Sequence, residues 1–188
     1  MKALGQSVAP VAGWSQKRAW VDYAFRELEQ AGYSITSAYT AVKDSSKSRF
    51  LYRDLLWTGA DLVGLGVASF SHVGGSHFQN EHEFQPYVDK LLAGELPIYR
   101  ALTPTPEERM IRELILQMKR GHVDSAYFQG KFGVDIRRRF SDAFDKVRHR
   151  GFLEVDGNDV RLNREGLLQV DTLLYDFFLP EHRNARYT

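Results

Sequence analysis

No cysteine occurs anywhere in the 188 residues. That excludes a disulfide framework, and it excludes any thiolate-ligated zinc or iron–sulfur centre built from this chain alone. The absence fits a reducing compartment. Long hydrophobic runs are missing as well. No apolar stretch reaches the ~20 residues of a membrane span. The start, MKALGQSVAPVAGW, lacks the solid apolar core of a signal peptide. Neither charge sign is in excess: 25 Lys and Arg against 24 Asp and Glu leave +1, too little to draw the chain to nucleic acid or a membrane surface. The chain reads as cytoplasmic, with no membrane span. Gly-Lys-Ser/Thr is also absent, which removes a P-loop.

What is present is ordinary globular composition, 43% hydrophobic and 26% charged, at a length suited to one domain or two small ones. The first 14 residues, rich in glycine and alanine, read as irregular. From Gln16 to Gln30, Trp20, Tyr23, Ala24 and Leu28 recur at helical steps, and Gly32 marks a stop. YSITSAYTAV (33–42) alternates and reads as one strand. ADLVGLGVASF (60–70) reads as a short buried strand running into a glycine loop, and EFQPYVDKLLAGE as a short helix ending near Gly94. Helix, strand, loop, strand, loop, helix suggests an α/β unit, too small to close a barrel of about 250 residues by itself.

The pattern changes at LTPTPEERMIRELI (102–115). Thr105 suits a helix cap, Pro106 the first turn, and Glu107 and Glu108 the positive end of the helix dipole. Met110, Ile111, Leu114, Ile115 and Met118 form its apolar stripe. A short helix within 121–133, a helix over 135–151, a hairpin around Asp156-Gly157-Asn158 and a helix over 164–180 follow. That order predicts a winged-helix-like domain. The organisation expected is 1–100 as the α/β part and 101–188 as the mostly helical part.

Candidate chemistry centres on GLGVASFSHVGGSHFQN (64–80). Gly64-x-Gly66 is followed by Ser69 where a dinucleotide fingerprint needs glycine or alanine, so that reading is set aside. What remains is a tight turn at a strand end, or glycines that let a ligand approach the backbone. His72, His77 and His82 are spaced by five, which puts them on neither one helix face nor one strand face. No metal site and no catalytic set is expected. Arg137, Arg138 and Arg139 sit where a winged helix would carry its recognition helix, yet Asp142 and Asp145 share that helix, and Glu154, Asp156 and Asp159 occupy the wing.

Three ordered segments, DLVGLGVASFSHVGGSHFQN, YVDKLLAGELPIYRALTPTPEERMIRELIL and FLEVDGNDVRLNREGLLQVDTLL, resemble the C-terminal half of the oxygen-independent coproporphyrinogen III oxidase family. These are radical S-adenosylmethionine (SAM) enzymes of haem synthesis, with haem-chaperone relatives. RAWVDYAFRELEQAGYSITSAYTAV is similar to the family's helix, Gly-Tyr, strand segment, so the likeness runs from about Gln16 to about Pro180. It implies the end of an incomplete α/β barrel that holds a [4Fe–4S] cluster and SAM, followed by a winged-helix-like domain that encloses the porphyrinogen. It further implies that Gly64, Gly66, Val67, Ala68 and Ser69 form a strand end facing SAM, with Phe70 beside it. Gln79 and Asn80 close the loop toward substrate. Tyr52 stands where some members have a glutamine near a second SAM.

The family's Cys-x3-Cys-x2-Cys run has no counterpart here. The expectation is therefore a chain without cluster or cofactor of its own and inactive alone: a fragment, a separately encoded half, or a remnant with a binding role. Its implied partners are the missing N-terminal barrel half or a second copy, with porphyrinogen or haem as ligand. The alternatives are a winged-helix DNA-binding protein, or a non-catalytic haem-binding module. A truncated barrel also predicts exposed edge strands and apolar surface.

Overall fold

The computed structural model describes residues 11–183; most of the segment expected to be irregular, residues 1–10, lies outside them. α1 spans Trp14–Gln30. It ends as the sequence suggests: Gly32 takes φ +82°, and the amides of Gly32 and Tyr33 close onto the carbonyls of Glu29 and Leu28 at 3.0 and 2.9 Å.

The next segment is not one strand but a hairpin, β1 (Ser34–Ser37) and β2 (Thr40–Val42). Buried Ser37 causes the reversal. Its hydroxyl accepts the Tyr39 amide at 3.1 Å and donates to Thr40 Oγ1 at 3.0 Å, a side-chain turn that competes with extended pairing. The Ala38 amide, left free at the turn, donates to the Lys119 carbonyl at 2.8 Å. A helix that periodicity did not reveal follows, α2 (Leu51–Trp57), turned inward by buried Arg53, which pairs with Asp54 at 2.7 Å and lies over the Trp57 ring.

Residues 60–69 are not a strand. Leu62 makes a single bridge to His72, and the chain then turns through Gly66 (φ +99°) and Ala68 (φ +60°), backbone states that interrupt extended structure. The sheet begins at β3 (Phe70–Val73) and continues through β4 (Ser76–Asn80). After α3 (Phe84–Leu92) comes β5 (Ile98–Leu102), also unanticipated; it pairs with β4 to give the order β3-β4-β5. All strand pairings among the described residues are antiparallel and no barrel closes.

α4 (Pro106–Met118) starts as anticipated, with Pro106 in its first turn and a reciprocal cap in which Thr105 and Glu108 satisfy each other's backbone amides. β6 (His122–Asp124), α5 (Ser125–Phe132), α6 (Ile136–Arg139), α7 (Ser141–His149), β7 (Leu153–Asp156) and β8 (Asp159–Leu162) follow, with strands in the order β6-β8-β7. The helix expected over 135–151 is broken at Phe140 (φ −118°), whose ring is buried beside Phe177 with centroids 5.8 Å apart. The last expected helix is likewise divided, into α8 (Arg164–Leu168), α9 (Val170–Leu173) and a 3₁₀ turn (Leu174–Phe177).

The main core is drawn wholly from residues between Met110 and Phe177: Leu114, Phe128, Ile136 and Leu173 have no exposed surface. By contrast, among the described residues, every large hydrophobic side chain left exposed lies at or before Leu102, apart from Val155 and Tyr175. No helix among the described residues is long and apolar enough to cross a membrane.

Candidate functional site

Gly74 and Gly75 connect β3 to β4 with φ of +57° and +81°, the two positive values a two-residue hairpin turn requires. The turn sets the register, and the register brings His72 opposite His77. The His72 backbone bonds outward, exchanging hydrogen bonds of 2.8 and 2.6 Å with Leu62. Its side chain therefore faces His77 across the closer type of antiparallel pair, with ring centroids 4.3 Å apart. Spacing along the chain suggested that these histidines share no face; the turn, by reversing the chain between them, puts them on one. His82 stands apart, 4.6 Å from the Tyr99 ring. Among the described residues no three His, Asp or Glu side chains converge as a metal site would need.

The histidine pair borders an open cleft of about 570 Å³. Tyr52, Gly64, Ser69 and Phe70 line it, together with Arg112. Tyr52 and Phe70 are 59% and 61% exposed, and Leu65 beside them 86%, so its outer walls are apolar and unshielded. Gly66, Val67, Ala68 and Asn80 do not line this cleft. Gln79 lines a neighbouring groove of about 270 Å³ that shares Phe70 and His77 with the cleft.

The loop over 64–69 is held by its own bonds. The Gly64 amide donates to Ser71 Oγ at 3.0 Å, the Gly66 amide to the Tyr87 hydroxyl at 3.2 Å, and the Ala68 amide to the Glu81 carbonyl at 2.7 Å. Buried Asn80 clamps it from behind: Nδ2 donates to the carbonyls of Gly64 and Gly66 at 3.2 and 3.0 Å. Gln79 donates to the Ala68 carbonyl at 3.2 Å and accepts from Arg100 at 2.8 Å. Gly64 is required for close approach, since a Cβ there would lie 2.3 Å from the Phe70 carbonyl oxygen.

Behind the histidines is a smaller cavity of about 120 Å³, lined by His72, Gly75, Arg109, Arg112, Glu113 and Lys131. Glu113 is 4% exposed and fully engaged. It accepts from the Tyr127 hydroxyl at 2.5 Å and from Lys131 Nζ at 2.8 and 3.0 Å, while Lys131 also donates to the Thr58 carbonyl, which lies 3.1 Å from the Tyr127 hydroxyl oxygen. Burial, reinforced by the bond to Glu113, raises the Tyr127 pKa. Burial, then the positive charge of Arg112, pushes the His77 pKa down to about 4 and lowers that of His72. Burial also lowers the pKa of Arg112 itself. Neither the Arg109 nor the Arg112 side chain forms a hydrogen bond or ion pair among the described residues, and Nε of Arg109 and Nδ1 of His72 are buried without a partner.

Sequence reasoning missed Arg109, Arg112 and Glu113. They lie three and four residues apart, a second face beside the apolar stripe of α4, and that spacing was legible. The arginine run, by contrast, does not stand free. Arg137 donates to the Gly157 carbonyl at 2.8 Å and pairs with Asp135, and Arg139 pairs with Glu107.

Comparison with known proteins agrees with this architecture. Residues 105–168 match the family model of the HemN C-terminal domain. The chain is 24% identical, over 98% of its length, to the oxygen-independent coproporphyrinogen III oxidase of Pseudomonas aeruginosa, of which it covers 41%. It is 25% identical to that of Helicobacter pylori over 61% of this chain and 26% of the relative. The structure of Escherichia coli coproporphyrinogen III oxidase (HemN), a radical SAM enzyme, superposes with a TM-score of 0.69 at 16% identity, over 88% of this chain and 42% of that one. The chain thus spans about two fifths of the P. aeruginosa and E. coli proteins. The chain is similar to the C-terminal part of oxygen-independent coproporphyrinogen III oxidases, and the match to the HemN C-terminal domain model lies within it at residues 105–168.

Proposed function

We propose that this chain supplies the end of the barrel and the substrate-enclosing domain of a cytoplasmic oxygen-independent coproporphyrinogen III oxidase-like radical SAM assembly. One observation carries the reading. The exposed apolar side chains fall almost entirely in residues 11–102, Tyr52, Val63, Leu65 and Phe70 among them lining the cleft, while the main buried core lies within residues 110–177. An apolar surface of that extent marks a face that another body covers. That body, in this reading, is a barrel bearing the cluster cysteines, whether in the same polypeptide or another. The same contrast supports a division into 1–100 and 101–188. The element order from α4 to β8, with sheet order β6-β8-β7, supports a winged-helix-like lid, and the pairing of Arg137 and Arg139 within the chain favours that reading over a DNA reader.

The residues present do not fit an iron–sulfur cluster, since the sequence holds no thiolate. A SAM-facing role for residues 64–70 is a better fit. The amides of Gly64, Gly66 and Ala68 are already bonded, so this loop would offer shape and the exposed Phe70 ring rather than free donors. When bound to its barrel, SAM supplies radical chemistry. The residues of this chain orient substrate and exclude water: Tyr52 and Phe70 as walls, Gln79 at the groove, and Asn80 as the clamp that fixes the loop.

The test is titration of the chain with coproporphyrin III and with SAM, followed by addition of a cysteine-bearing barrel protein. A shifted porphyrin absorbance at micromolar protein, and a stable one-to-one complex with the barrel, are expected. Unchanged absorbance together with no SAM binding would overturn retained ligand binding. Self-association in place of barrel binding would assign the apolar face to a second copy.

A further inference from the structure

Several buried or half-buried cations in this protein have a carboxylate: Arg53 has Asp54, Lys90 has Glu81 and Arg164 has Glu29. Arg109 and Arg112 do not. Both line the small cavity behind the histidine pair, and neither has a hydrogen-bonding partner among the described residues. The acids that act on this cluster are committed elsewhere, Glu113 to Lys131 and Tyr127, and Asp61 to the Gly74 amide at 3.0 Å. Leaving a guanidinium partly desolvated without an anion is costly, and a fold that keeps two such groups in one cavity holds a place for a negative charge.

The surroundings specify the kind of anion. His72 is 5% exposed with Nδ1 unpartnered. Because their pKa values are lowered, both imidazoles are neutral near pH 7 and act as hydrogen-bonding groups, not as further cations. At about 120 Å³ the cavity has room for a small planar head group. Through the shared walls of His72 and Arg112 it adjoins the open cleft, whose sides are Tyr52, Val63, Leu65 and Phe70. A planar guanidinium matches a carboxylate with two parallel bonds, while the cleft suits a flat apolar body. We infer that Arg112, with Arg109 and the His72–His77 pair behind it, forms a carboxylate-binding subsite that anchors one acidic side chain of an amphiphilic ligand lying in the Tyr52–Phe70 cleft. The ligand's identity as a porphyrin rests on the function proposed above; the carboxylate subsite does not.

The experiment compares coproporphyrin III with its carboxylate-free tetramethyl ester on the wild-type chain and on Arg112→Gln and Arg112→Lys, reading the porphyrin absorbance. Imidazole proton resonances of His72 and His77 are followed in parallel with millimolar propionate as the probe. The free acid is expected to bind at least about tenfold more tightly than the ester, a step of about 1.4 kcal/mol. That preference should largely vanish in Arg112→Gln and fall part-way in Arg112→Lys, which keeps the charge without the fork. Equal binding of acid and ester, or a preference that survives both variants, would overturn the subsite. If neither porphyrin binds, the porphyrin reading falls and propionate decides the inference: histidine shifts that disappear with Arg112→Gln uphold it, and their absence in the wild type, or their persistence in Arg112→Gln, refutes it.

Discussion

The rings of His72 and His77 meet across the β3–β4 hairpin with centroids 4.3 Å apart and planes tilted by 36°, both beside the unpaired guanidinium of Arg112. Arg109, Asp61 and Glu113 are the other charged groups acting on His72. The His77 pKa falls from 6.5 to about 4 on folding, so between those values the unfolded chain binds more protons than the folded one. Stability is therefore full above about pH 6.5 and declines as pH falls toward 4. Urea midpoints measured across that window should drop with acidification, and His77→Gln should flatten the decline. A midpoint independent of pH from 7 to 4.5 would contradict the burial of a neutral imidazole.

Asn80 holds the carbonyls of Gly64 and Gly66 through one amide nitrogen. Asn80→Ala leaves both acceptors without that donor and should cost about 1–3 kcal/mol. Asn80→Asp should be at least as damaging, because it aims a carboxylate at two carbonyl oxygens. Hydrogen exchange would report the change locally, with loss of protection at the Gly66 and Ala68 amides before that of α4.

Glu113 joins α4 to α5 through Tyr127 and Lys131, and both of those reach the Thr58 carbonyl at the end of α2. Glu113→Gln keeps an acceptor for Tyr127 and should be milder than Glu113→Ala. The alanine variant should lose about 1–3 kcal/mol; Lys131 is 39% exposed in its side chain and can turn to water, which limits the loss. Thermal unfolding of the two variants side by side gives the order.

Thr105 and Glu108 cap α4 reciprocally. Thr105→Ala should destabilise the chain by about 1 kcal/mol, while Thr105→Ser, which keeps the hydroxyl, should stay close to wild type. Guanidinium denaturation with an unchanged slope would place the effect on the folded state.

Local chemistry explains which features the sequence revealed. The caps and periodicity of α1 and α4, the Gly94 stop and the Asp156–Asn158 turn rest on contacts a few residues apart, and the structure has each of them. Side-chain interactions over longer range decided the others. Ser37 bent a segment whose alternation fitted a single strand, Phe140 interrupted a helix to reach Phe177, and α2 owes its placement to Arg53 packing. At the site, Gly64–Phe70 stood out as a loop, but periodicity placed a strand there because the left-handed turn at Ala68 has no sequence signature. The Gly74-Gly75 dipeptide could have paired His72 with His77 in advance. The partnership of Arg112 with that pair depends on how α4 packs on the hairpin, and no spacing rule contains it.

The uncovered apolar side of residues 11–102 has a consequence for the protein's life in the cell. To chaperones and proteases, such a surface is indistinguishable from unfinished folding. On the function proposed above, the supply of a covering barrel, more than the intrinsic stability of the Met110–Phe177 core, sets how much of the protein persists.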